Sequence, residues 1–231
     1  MGSSRAIFYD TETTGLQAEK ERVIELAAYD PLHDRSFVAL INPGKPIPAE
    51  ATAVHHISDE MVADSPPFSE VAEKFCAFCE GDVILVAHNN DAFDIHFMKA
   101  EFSRAGLTMP PWRFMDSLKW ARRYRPDLPR HTLQSLREIY GIASNNAHRA
   151  LDDVVVLHQV FKIMTDDLPV ETIYALMNVP AEIHHMPFGK FQGTLLKDLP
   201  KDYISWMKAS GVFLKPENQD LKRALDKICA V

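Results

Sequence analysis

Cysteine is scarce in this 231-residue chain: Cys76, Cys79 and Cys229 are all it has. A small odd number excludes a disulfide-built scaffold and points to a reducing compartment. The "CAFC" pair has C-x-x-C spacing but lies inside "FSEVAEKFCAFCEG", an amphipathic helical pattern, and no second pair completes a zinc site. Buried helical thiols are the expected reading. No run approaches 18 apolar residues, so no membrane span is expected. The N-terminus lacks a charged-then-apolar leader, and Ala6 stands where myristoylation of Gly2 would want Ser or Thr. These absences lead to an expected cytoplasmic location. Repeats and low-complexity stretches are also missing. A positive excess is missing too: the formal net charge is −7. That argues against broad, non-specific coating of DNA but leaves room for a local basic patch.

What is present reads as α/β. Hydrophobic content of 46% and charged content of 25% suit a globular chain long enough for a good core. Strands are expected near 5–10, 22–30, 35–42, 83–87 and 113–115. Helices are expected near 68–79, 92–105, 116–124, 132–139 and 149–165, and "NPGKPIPAEA" reads as a loop. The result is a five-stranded mixed sheet flanked by helices, plus a small C-terminal module. The expected division is 1–167, a linker helix over 168–182, and a small basic module over 183–231.

Three fragments carry acids into apolar surroundings. "RAIFYDTETTGL" is a buried strand that turns acidic before a Gly turn, and Asp10 and Glu12, two apart, share a face. Two such carboxylates repel each other unless a cation neutralises them. In "HNNDAFD", Asp94 heads the row Met98, Phe102, Ala105. In "HRALDDVVVLHQVFKIM", Asp153 heads Leu157, Val160, Phe161 and Met164. A carboxylate at the head of a core-facing row needs a partner; helix capping could serve each taken alone. Four carboxylates together with His148 can hold two divalent cations and deprotonate a water, the equipment for cutting a phosphodiester bond.

On these fragments the chain resembles the DEDDh branch of the DnaQ-like 3′–5′ exonucleases, from about Arg5 to about Met164. That family includes proofreading epsilon subunits, RNase T, exonuclease X and the three-prime repair exonucleases. "AVHHISDEMV" is similar to the family's Val-His-Gly-Ile stretch, with His55 at the motif His and His56 at the usual Gly. "MDSLKWARRYRP" resembles its Asp-Thr-Leu-x-x-Ala-Arg segment, and "HTLQSLREIYGI" its helix ending at Gly141. His148 lies five residues before Asp153, as in the His subclass. One departure is the spacing of "HNNDAFD", which is that of the three-prime repair type; it leaves the roles of His88, Asn89 and Asn90 open.

The resemblance implies an RNase H-like fold. Asp10, Glu12, Asp94 and Asp153 would be ligands for two divalent metal ions, Mg²⁺ or Mn²⁺, and His148 the general base. Thr13, Thr14, Gly15, Leu16, His55, Asn89 and Phe93 would meet the 3′-terminal nucleotide, with Leu16 against its base. The expected product is a nucleoside 5′-monophosphate, released from a DNA 3′ end in repair or end trimming. The alternatives are an RNA 3′-trimming enzyme on the same site and a non-catalytic polymerase accessory protein. Dimers occur in the family.

Phosphate contacts are expected from Lys119, Arg122 and Arg123, part of a basic run with Trp112, Trp120 and Tyr124 nearby for stacking. From Ile183 onward the chain has 8 Lys and Arg against 5 Asp and Glu. The "FGKFQG…LKDLPKDYISWM" string resembles the small module that follows exonuclease X-type catalytic domains. It is read as an auxiliary domain, with Lys190, Lys197 and Lys201 as candidate phosphate contacts or, equally, as a structural cap.

Overall fold

The computed structural model describes residues 4–143, 150–179, 183–215 and 218–229. The chain divides into two compact units, Met1–Met177 and Asn178–Val231.

The first unit is built on five strands: β1 (Arg5–Thr13), β2 (Val23–Asp30), β3 (Arg35–Leu40), β4 (Val83–Ala87) and β5 (Arg113–Asp116), in the order β3-β2-β1-β4-β5. The first three are antiparallel neighbours; β1, β4 and β5 run parallel. Its helices are α1 (Ala49–His55), α2 (Asp59–Val62), α3 (Phe68–Phe78), α4 (Asp94–Arg104), α5 (Ser117–Tyr124), α6 (Leu133–Ile139), α7 (Ala150–Thr165) and α8 (Val170–Asn178).

Strand alternation divides the core. Ile7 and Tyr9 pack with Phe75 of α3 and with Phe97, Met98 and Phe102 of α4. Phe8, between them in sequence, packs on the other face with Val154, Leu157 and Phe161 of α7. Helices therefore cover both faces of a mixed sheet. Ile173 and Met177 of α8 are buried in that second cluster, so the helix within 168–182 belongs to the first unit. The segment read as a loop is helical from Ala49, where α1 begins after Pro48. Among the described residues no helix is long and apolar enough to cross a membrane.

Cys79, at the end of α3, is buried, and burial raises its thiol pKa far above the usual range; Cys76 is half-buried and raised for the same reason. Neither is a ready thiolate.

The second unit has its own core of Met186, Leu196, Leu199, Met207, Phe213, Leu221 and Leu225. Its helices are α9 (Lys201–Ala209) and α10 (Gln219–Cys229), with short 3-10 turns over Leu196–Asp198 and Val212–Leu214.

Candidate active site

The parallel strands β1, β4 and β5 end on the same side of the sheet, and each delivers polar groups there. Open α/β sheets place their ligands at this edge. Asp10 and Glu12 come from β1, facing α7 as Phe8 does. They meet Asp153, in the first turn of α7: one oxygen from each of the three carboxylates lies within 4.8 Å of the others. Asp94 comes from the opposite face of the sheet, from α4. The Thr11 hydroxyl donates to its Oδ1 at 2.8 Å. Alternation along β1 thus explains why Asp94 stands beside the trio rather than in it. Asp94 is nevertheless the acid that repels Asp10 most.

This crowding marks the electrostatics. Burial raises the Asp10 pKa well above the usual carboxylate range, and Asp94, Glu12, Asp153 and Glu25 raise it further. Burial also pushes Asp94 up to about 7, against the pull of the Thr11 hydroxyl and of backbone N–H groups. Packed oxygens that resist ionisation together suit hard divalent cations, which relieve the repulsion. The residues present therefore fit a metal site. His148 lies outside the described residues.

Several supports were not foreseen from sequence. Gln134 of α6 donates to Asp153 Oδ1 at 2.9 Å and is itself held by Arg137 Nε at 2.7 Å. Glu25, buried on β2 opposite Glu12, accepts from the Ala150 backbone N–H at 3.1 Å and so fixes the start of α7. Asp116, closing β5, accepts from the backbone N–H groups of Asn89, Asp91, Leu118 and Lys119 at 2.9–3.2 Å. It caps α5 and ties the loop before Asp94 in place. Each pairing joins distant or differently folded segments, so only periodicity-breaking buried polar residues could have hinted at them.

The structure also bears on the open roles in "HNNDAFD". Asn90 is fully buried and accepts from the Tyr9 hydroxyl, while Asn89 takes a positive φ of 72° in the turn. His88 bonds Ser117 Oγ and the His131 carbonyl, and burial lowers its pKa to about 4. Phe93 packs its ring 4.8 Å from Phe97 at the start of α4. His55 is buried, with Nδ1 accepting from the Ile57 N–H. His56 occupies a left-handed position, φ 61°, that closes α1; that conformation is why glycine is common there.

The turn after β1 is firmly backed. Thr14 Oγ1 donates to Glu21 at 2.5 Å, Thr13 Oγ1 to the Gly15 carbonyl at 2.7 Å. A Cβ on Gly15 would lie 3.0 Å from Glu21 Cγ, so the backbone approaches closely. Leu16 projects from this turn with 85% of its surface exposed.

The basic run is only partly open. Lys119 and Arg122 are exposed and Arg123 lies over the Tyr124 ring. Arg125 pairs with Asp127, and Arg137 serves Gln134. Trp120 is buried and Trp112 packs edge-on against Phe75 and Phe102, so the expected stacking role of both is corrected: their rings belong to the core. Lys190 lies in the second unit, near the Phe191 ring.

The sheet order and the acidic edge define an RNase H-like exonuclease fold. Residues 7–161 match the family model described as Exonuclease, and the chain belongs to that family, the DnaQ-like 3′–5′ exonucleases, hydrolases of phosphodiester bonds. It is 38% identical over 163 residues to the DNA polymerase III subunit epsilon of Treponema pallidum, covering 68% of this chain and 74% of that one. It is 36% identical over 179 residues to the exonuclease DPD1, chloroplastic/mitochondrial, of Arabidopsis thaliana, covering 70% of this chain but 56% of that protein. A solved structure of exonuclease X in complex with 5′ overhanging duplex DNA superposes with a TM-score of 0.59 at 24% identity, covering 75% of this chain and 99% of that one. Residues 176–226 match a second family model, described as "Putative quorum-sensing-regulated virulence factor".

Proposed function

We propose that the protein trims DNA from its 3′ end, one nucleoside 5′-monophosphate at a time, by a two-metal mechanism serving repair or end processing. The observation that carries this reading is the convergence of Asp10, Glu12 and Asp153 within 4.8 Å, with Asp94 beside them. These four would hold Mg²⁺ or Mn²⁺ through oxygen alone. Bound there, a pair of such ions supplies Lewis-acid stabilisation of the phosphate and lowers the pKa of the attacking water.

The chain's own residues do the rest. His148 takes the proton from the water as its oxygen attacks phosphorus, and the 3′-oxygen of the penultimate nucleotide leaves. Thr13, Thr14 and Gly15 hold the terminal sugar, Leu16 wedges against the terminal base, and His55, Asn89 and Phe93 line the same pocket. Lys119, Arg122, Arg123 and Lys190 attract the backbone phosphates. An apolar wedge accepts any base, because every base has a π-face. DNA is favoured over RNA because the Treponema relative is named a DNA polymerase subunit and exonuclease X was solved on duplex DNA.

Digestion of 5′-labelled DNA and a matched RNA, in Mg²⁺ or Mn²⁺ against EDTA, tests this. The expected result is a metal-dependent ladder shortening from the 3′ end of DNA, slowed at least about a hundredfold by Asp153→Ala. Digestion of RNA alone would make the substrate RNA. Intact oligonucleotides in every metal condition would overturn the catalytic reading.

A further inference from the structure

The second unit carries an aromatic stair that climbs out of its core: Phe191 and Tyr203 pack against that core, and Trp206 is not among the residues that do. The rings of Phe191 and Tyr203 lie 4.6 Å apart, edge-on; those of Tyr203 and Trp206 lie 5.5 Å apart and stack within 22°. Tyr203 and Trp206 are three apart on α9 and so share a face. The next residue, Met207, is fully buried in the unit's core. Trp206 leaves 56% of its surface open to water, an exposure that forgoes burial a module this small would otherwise use.

The stair is backed by the turn beside it. Gly189 has a φ of +75°, and a Cβ there would meet the Tyr203 hydroxyl at 3.1 Å. Any side chain there would be strained by that φ and would press on the Tyr203 hydroxyl. At the other end, Lys190 Nζ lies 5.4 Å from the centre of the Phe191 ring. The surrounding segment from Ile183 has 8 Lys and Arg against 5 Asp and Glu, a positive balance in a chain whose net charge is negative.

We propose that this stair binds single-stranded nucleic acid. An unpaired base stacks on the open side of Trp206, which Tyr203 backs from within, and the Lys190 ammonium meets the phosphate backbone. Flat π-faces with a cation at one end match the alternation of base and phosphate, and need no particular sequence. A duplex keeps its base faces stacked inside and offers none to the stair. The choice of occupant rests on the exonuclease reading; the geometry of the stair does not.

The test uses the full chain with Trp206→Ala and Trp206→Phe. Activity is read on 5′-fluorescein-labelled (dT)20 and on thymidine 5′-(p-nitrophenyl phosphate), a one-base ester with no neighbouring nucleotide to stack. Anisotropy of the labelled (dT)20 in EDTA reads binding without cleavage. Trp206→Ala is expected to raise KM and Kd for (dT)20 about fivefold or more, with kcat and ester hydrolysis unchanged, and Trp206→Phe to recover most of the loss. Unchanged KM and Kd in the Ala variant would overturn the site and leave the face to a protein partner. Equal losses on both substrates, or a lowered melting temperature, would make Trp206 structural and overturn it as well. If the wild-type protein cleaves neither substrate, the exonuclease reading fails by itself, and anisotropy still decides the stair.

Discussion

Asp94, pushed up to about 7 by burial, and Asp10, raised by burial and its acidic neighbours, reverse the usual link between carboxylates and stability. A group whose folded pKa exceeds its unfolded value of about 3.9 holds its proton longer in the folded state. Between about pH 4 and 7 the folded protein therefore binds more protons, and its stability falls as pH rises through that window. His88, lowered to about 4, acts in the opposite sense below about 6.5. The difference between wild type and Asp94→Asn isolates the acid. Without metal, the variant should gain melting temperature over the wild type as pH goes from 5 to 8, and Mg²⁺ or Mn²⁺ should raise the wild-type melting temperature more at pH 8 than at pH 5. A shift of equal size at both pH values would contradict the crowding account. At this scale the acids were legible because a carboxylate in an apolar row announces a need. Thr11, Glu25 and Gln134 were not, because each is ordinary in its own segment and acts on a partner far along the chain.

Asp116 shows how elements are joined at the site. It is both the last residue of β5 and the cap of α5, and the same carboxylate accepts from the loop leading to Asp94. Replacing it by Ala strands four backbone N–H groups at a buried position. A lost cap costs about 0.5–2 kcal/mol and a stranded buried donor about 1–3 kcal/mol. A total of roughly 3 kcal/mol would lower the melting temperature by about 6–12 °C in a chain of this size. Asp116→Asn keeps one acceptor oxygen and should lose less than half of that. Wild-type melting in both variants would show that the loop is held elsewhere. The main strands and helices were legible from period alone, since Phe8 alternates with Ile7 and Tyr9, and α4 and α7 present apolar rows. The helices α1 and α2 were not: each buries one residue, His55 and Val62 respectively, so neither has a stripe to read. Trp112 and Trp120 misled for the converse reason. Their neighbours are basic, but their rings face the core.

On the scale of the whole molecule, composition marked a change of character after about Leu168, whereas packing puts the change ten residues later. Ile173 and Met177 lie in the cluster formed by Phe8, Ile84, Val86 and Met115. Glu171 Oε2 accepts from Arg113 Nη1 at 2.8 Å, and the Tyr124 hydroxyl donates to the Leu176 carbonyl at 3.4 Å. Composition missed this because α8 is short and polar on its outer side, which reads as a connector. The two possible cuts therefore have different consequences. A chain ending at Leu168 loses the burial of Ile173 and Met177, about 1.5–3 kcal/mol each, and uncovers the apolar residues beneath them. A chain ending at Val179 keeps that core whole, and the core of the second unit draws on none of its residues. The chain ending at Val179 should melt cooperatively and hydrolyse thymidine 5′-(p-nitrophenyl phosphate) with unchanged kcat, while its KM for (dT)20 rises. The chain ending at Leu168 should be roughly 3–6 kcal/mol less stable by urea denaturation. Equal midpoints for the two chains would show that α8 is a connector after all, and failure of the longer chain to fold would show that the two units depend on each other.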